Sequence, residues 1–262
     1  MMNGVTDQVA TLDVADRQPG WLSASGATHV GRREVNEDAF LIDGALLAVA
    51  DGVGGAPRGD LAASAAVAAL EELAAGSPPR RTALADALRI ADEQVVALGD
   101  RWRELRGAAT TMTAAIVFED VDRRAWAQLA HAGDSRAYLW RAGTVTQLTS
   151  DHTLGQAARE AGLAPAMRAD NTLVNMLGGP NGTGVDVDEL FVQLLVGDVL
   201  LLCSDGVSSF LEPAEIAGII EQFRGSPDAA AATLVRRAYD RGSNDNLTAV
   251  VGAVDVAEAP AL

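Results

Sequence analysis

Acidic residues in this chain sit as punctuation beside apolar runs. Glu37 and Asp38 stand in "NEDAF", Asp51 in "ADGVGG", Asp134 in "AGDSRAY", Asp205 in "CSDGV" and Asp245 in "SNDNLT". Each stretch flanks a β-type apolar segment, and three of them place glycine directly beside the aspartate. Taken singly, Asp-Gly is a turn dipeptide. Taken together, acids at the same kind of strand end can converge on one edge of an antiparallel arrangement. Their charges then repel unless a cation offsets them. Hard divalent ions such as Mg²⁺ and Mn²⁺ prefer carboxylate and carbonyl oxygens. No His/Cys cluster competes for a softer ion, which argues against zinc. On this reading Asp51 is a ligand. Gly52, Gly54 and Gly55 leave room for metal, water and substrate, because glycine permits a close backbone approach.

The elements that must position these acids follow from hydrophobic period and turn residues. "GATHVG" and "AFLIDGALLAVAD", the latter broken at Gly44, read as strand, turn, strand. Pro57 and Asp60 open an Ala/Leu helix over 60–75, which "GSPPR" ends. A second helix is expected over 82–103, with Leu84, Leu88, Val95 and Leu98 near one face. From "TTMTAAIVFE" to "TVTQLT" the chain reads as a run of hairpins. Residues 151–184 are irregular, with a short helical piece, Pro165 and the Gly-rich "LGGPNGTG"; so long a loop in a compact domain is functional or mobile. Strands resume at "VDELFVQL" and "DVLLLCSDG", helices follow at 213–223 and 228–240, and "NLTAVVGAV" closes as a strand. Hairpin-linked strands and paired helices predict an α+β fold, with antiparallel sheets and helices packed outside them. Residues 1–20 and 257–262 read as loose tails around a single domain, 21–256.

Composition bounds the function. The chain has 262 residues, 48% hydrophobic and 21% charged, with few aromatics, so its core is built from small aliphatics. A net charge of −16 repels nucleic acid and anionic lipid, so neither is an expected partner. Cys203 is the only cysteine, which leaves no intramolecular disulfide and fits a reducing cytosol. No basic region followed by an apolar run marks a signal peptide. The most apolar stretch, "LAASAAVAAL", is about half a membrane span. A soluble, cytoplasmic monomer is the expectation.

"GRREVNEDAF", "LLAVADGVGG", "GAATTMTAAIV", "HAGDSRAYLWRAG", "LTSDHT", "LLLCSDGVSSFL" and "SNDNLTAVV" resemble, in order, the motif series of the metal-dependent protein phosphatases, the protein phosphatase 2C family. The resemblance runs over about residues 24–254. It implies a central sandwich of two antiparallel sheets flanked by helix pairs, a four-layer αββα fold. It implies two Mn²⁺ or Mg²⁺ ions, with Asp51 bridging them and Gly52 giving its carbonyl. Asp205 and Asp245 would complete one ion, while Glu37 and Asp38 would hold metal or its waters. Asp134 matches the position that, with Asp205, serves a third, weaker ion in bacterial relatives. Arg33 stands where the family carries its phosphate-binding arginine, with Arg32 as the competing candidate. The implied reaction is hydrolysis of phosphoserine and phosphothreonine in proteins by an activated water, without a phosphoenzyme. The implied opponent is a Ser/Thr protein kinase.

The sequence also departs from the family pattern. Val53 stands where some members carry a histidine proposed as the acid for the leaving oxygen. His152 is the substitute candidate, since an imidazole can donate a proton near neutrality. His131 reads as a packing or orienting residue. Residues 153–180 correspond to the family's flap, and Met176 replaces an arginine found in many relatives. Rival phosphate chemistries lack their parts: "CSDGVSSF" has no arginine for a cysteine-dependent cradle, and no Gly-Lys-Ser or Gly-Lys-Thr is present. Two alternatives stay open. One is a non-catalytic pseudophosphatase that binds metal or phosphoprotein; the other is a β protein in which the aspartates only make turns.

Overall fold

Strands with apolar residues at every position must be covered on both faces. β3 (Leu46–Asp51), up to its closing aspartate, and β11 (Val199–Cys203) are such strands. In the computed structural model, which describes residues 19–75, 84–164, 171–180, 182 and 184–255, they are interior strands of two different sheets, each paired on both sides. Leu46, Ala48 and Ala50 of β3 face helices, while Leu47 and Val49 face the other sheet. Val199, Leu201 and Cys203 of β11 face a second helix pair, and Leu200 and Leu202 point back between the sheets.

The remaining elements build outward from these two. The first sheet joins β1 (Leu22–His29), β12 (Leu247–Val254), β11, β7 (Arg136–Arg141) and β8 (Thr144–Gln147), in that order. The second joins β10 (Asp188–Gln193), β6 (Ala125–Ala132), β5 (Met112–Glu119), β3 and β2 (Asp38–Asp43). All neighbours in both sheets run antiparallel. α1 (Gly59–Ala75) and α2 (Leu84–Arg101) cover the second sheet, through Ala62, Ala66, Leu84 and Leu88. α5 (Pro213–Gln222) and α6 (Pro227–Asp240) cover the first, through Ile216, Ile220, Ala231 and Leu234. Both open with proline in the first turn, where its missing N–H costs nothing. The layers are therefore helix, sheet, sheet, helix, as the α+β expectation requires.

Small aliphatics let the sheets approach closely. A Cβ on Gly252 of β12 would lie 2.9 Å from Leu47 Cδ1, so that glycine makes the notch the leucine fills.

Several short elements carried no readable period. β4 (Ala109–Thr110) pairs with β9 (Leu177–Gly178), and α4 (Asp205–Ser208) is a single turn. α3 (Leu154–Glu160) is the short helical piece expected in the irregular segment. α2 ends at Arg101, two residues before the expected boundary. The expected tails, "GSPPR" and Pro165 lie outside the described residues, apart from residues 19 and 20. Among the described residues no helix is long and apolar enough to cross a membrane.

Leu202 is fully buried between the sheets. Leu202→Ala is expected to destabilise the protein by about 2–5 kcal/mol, read as a shift in the urea unfolding midpoint.

Candidate metal centre

The antiparallel order brings the acidic punctuation to one end of the sandwich. Asp38 opens β2 and Asp51 closes β3, and the two stand directly opposite in the ladder. Asp205 follows β11, Asp245 precedes β12, and Asp134 lies in the turn between β6 and β7. The two sheets contribute both groups of acids.

Electrostatics shows that these aspartates feel one another. Burial pushes Asp38 up to about 6, against the lowering effect of the nearby Thr248 and Ser204 hydroxyls. Asp51 is held well above the usual carboxylate range, first by burial and then by the charges of Asp38, Asp205, Asp134 and Asp245. Asp205 is raised by burial and by Asp245. Asp134 is pushed up to about 7, by burial and then by Asp205. Among the described residues, however, no three His, Cys, Asp or Glu side chains close on one point as a finished cage. The cluster is a set of crowded acids, four of which, Asp38, Asp51, Asp134 and Asp205, are raised.

The arrangement fits hard cations. Ser204 Oγ donates to Asp38 Oδ2 at 2.8 Å, and the buried Asp38 Oδ1 has no hydrogen-bond partner. A buried carboxylate oxygen left without a donor is costly and marks a place for a cation. The acids offer only oxygen donors, which suits Mg²⁺ or Mn²⁺.

Buried hydroxyls and one amide hold the acids in place; sequence reasoning did not single them out. Asp51 N–H donates to Thr111 Oγ1 at 3.1 Å, and Thr110 Oγ1 donates to the Asp51 carbonyl at 2.9 Å. Thr111 Oγ1 continues to Ser135 Oγ at 2.7 Å, beside Asp134. Ser204 also accepts from Thr248 N–H, which locks it to β12. Asn246 Nδ2 donates to the carbonyls of Val30 and Val35, and its Oδ1 accepts from Glu37 N–H at 2.8 Å. The readable signal was a small polar residue directly beside a motif aspartate, as in "CSDG" and "NDN".

Gly52 shows why this position lacks a side chain. A Cβ there would lie 2.5 Å from the Gly59 backbone and 2.8 Å from the Glu37 carbonyl oxygen. The space is taken by backbone, which replaces the expectation that this glycine clears room for metal and water. Gly55 adopts φ +90° and faces open space, while Gly54 lies near the Arg33 guanidinium. Glu37 sends its carboxylate to Gly59 at the start of α1, where a helix N-terminus favours negative charge.

Arg33 reaches the cluster. Its Nη2 bonds Asp245 Oδ2 at 2.8 Å and its Nε donates to the Asn244 carbonyl at 3.1 Å. Arg32 instead lies over the ring of Tyr239.

His152 is placed otherwise than a free acid would be. Its Nδ1 accepts from Gly133 N–H at 3.2 Å and from Asn175 Nδ2 at 2.8 Å, so the ring proton sits on Nε2, 3.1 Å from Asp188 Oδ2. Both nitrogens are engaged, and His152 ties residue 175 to the turn that carries Asp134. His131 is buried against it, bonded to Thr113 Oγ1 and the Ser150 carbonyl, with its pKa lowered to about 4 by burial and by His152. It is a neutral packing residue.

Fold and site together define a metal-using hydrolase of the αββα class. The chain belongs to the Protein phosphatase 2C family, which it matches over residues 25–250. It is 30% identical over 219 residues to "Serine/threonine phosphatase stp" of Listeria welshimeri, covering 79% of this chain and 83% of that protein. It is 34% identical to "Serine/threonine protein phosphatase PstP" of Mycobacterium tuberculosis, covering 85% of this chain and 43% of that longer protein. A crystal structure of the PstP catalytic domain in complex with two manganese ions superposes with a TM-score of 0.76, at 30% identity, over 89% of this chain and 98% of that one.

Raised carboxylates set a sign for stability. Asp38 and Asp134, at about 6 and 7, contribute stability that is full below about pH 4 and is lost as pH rises through those values. In chelator, Tm is therefore expected to fall from pH 5 to pH 8 in scanning fluorimetry. Mn²⁺ should raise Tm more at pH 8 than at pH 5.

Proposed function

We propose that this chain hydrolyses phosphoserine and phosphothreonine in proteins. The work is done by one catalytic domain over residues 21–256, with residues 153–180 as its flap. The observation that carries the reading is the half-buried, crowded aspartate cluster with Asp51 at its centre, which is unfavourable without cations. Glu37, Asp38, Asp51, Asp205, Asp245 and the Gly52 carbonyl would hold two Mn²⁺ or Mg²⁺ ions, and Asp134 with Asp205 a third, weaker one. When bound, such ions lower the pKa of a water towards neutrality and offset charge on phosphoryl oxygens.

The chain's own residues do the rest. Thr110, Thr111, Ser204 and Asn246 fix the acids at defined positions, so little reorganisation accompanies the reaction. Arg33 is half-exposed, and its guanidinium can leave Asp245 to grip two phosphate oxygens at once. That grip places the phosphorus over the cluster. His152 orients the flap's end and donates no proton to the leaving group. A non-catalytic module would tolerate the loss of a ligand or of Arg33, and all are present. A Ser/Thr kinase supplies the substrates, and the chain acts as a cytoplasmic monomer.

Hydrolysis of p-nitrophenyl phosphate tests this reading. Activity is expected only with Mn²⁺ or Mg²⁺. Asp205→Asn should lower kcat by about a hundredfold or more, since even indirect partners of a metal cost about 10–100-fold. Full activity in chelator would overturn it. Arg33→Ala should reduce kcat/KM by about ten- to a hundredfold, the worth of a charged hydrogen bond.

A further inference from the structure

We propose that Tyr239 is a positioning residue for the phosphate-binding arginine, and that it works by holding the neighbouring Arg32 out of the site. The inference rests on the reading of Arg33 as the phosphate ligand. Two guanidinium groups stand side by side in the connection between β1 and β2, and only one anion is to be bound. The backbone of that connection is fixed by Asn246 and by Gly31, at φ +65°, where an added Cβ would collide with the Asp245 carbonyl oxygen. A fixed backbone does not choose between two long, flexible side chains.

Tyr239 supplies the choice. It lies at the end of α6, and the residue is 37% exposed. The Arg32 guanidinium carbon stands 5.7 Å from the ring centroid, in range of a cation–π contact. His29 meets the same ring edge-on, with centroids 5.2 Å apart and planes at 64°. His29 Nδ1 also accepts from Gly31 N–H at 2.9 Å, which ties the ring contact to the backbone of the arginine pair. Arg33 turns the other way, to Asn244 and Asp245. Without the ring, Arg32 is free to compete for the Asp245 carboxylate and for phosphate, and Arg33 loses its fixed aim.

The test is steady-state kinetics of the full chain, loaded with Mn²⁺, on a phosphothreonine peptide. Tyr239→Phe keeps the ring and should retain the wild-type KM. Tyr239→Leu should raise KM about two- to fivefold, the factor an exposed cation–π contact is worth, with kcat little changed. Tyr239→Gln should give the same result should the leucine variant fail to fold. Arg32→Ala alone should leave KM unchanged, and adding Tyr239→Leu to it should have no effect. The inference is overturned if Tyr239→Leu leaves KM unchanged, or raises it equally when Arg32 is absent. Arg33→Ala separates the two readings. If it leaves kcat/KM unchanged, the phosphate-ligand reading fails and this inference with it. If it lowers kcat/KM while Tyr239→Leu is silent, only this inference fails.

Discussion

Like charges crowded together and partly out of water are the constraint on which this structure turns. Asp51 stands half-buried among Asp38, Asp134, Asp205 and Asp245, and each raises its pKa. A fold does not gather such groups for its own stability, because desolvation and repulsion both oppose it. The arrangement makes sense only with positive charge supplied from outside. The partnerless Asp38 Oδ1 says the same at the level of a single atom.

Rigidity is what lets the chain bear this. Three apolar layers, one between the sheets and one under each helix pair, fix the strand ends from which the acids project. Short polar ties then fix the side chains and turns: Ser204 on Asp38, Thr111 on Asp51, Asn246 on the segment that carries Arg33 and Glu37. Arg136 adds a bidentate pair with Asp151, below the turn that bears Asp134. Binding energy for a phosphate can then be spent on the reacting group, since the protein has little left to order.

The sheets and helices were legible because their periods are strong. β3 and β11 read as continuous apolar runs, and α5 and α6 carry proline at their starts. The motif aspartates were legible because each sits beside a strand. Three features were not. The two-residue strands β4 and β9 and the one-turn α4 are too short to show a period. The bonds of His152 depend on Asn175 and Asp188, residues 23 and 36 positions away, which no local pattern reveals. The reason for Gly52 lies in Gly59 and Glu37, which meet it only once the chain has folded.

Calorimetric titration of Mn²⁺ into the chelator-stripped protein at pH 7, compared with Asp51→Asn, tests the central claim most directly. The account predicts that the wild type binds about two ions tightly and that the folded variant, relieved of the central charge, binds neither with comparable affinity. Equal stoichiometry and affinity in the two proteins, or no binding by the wild type, would contradict it.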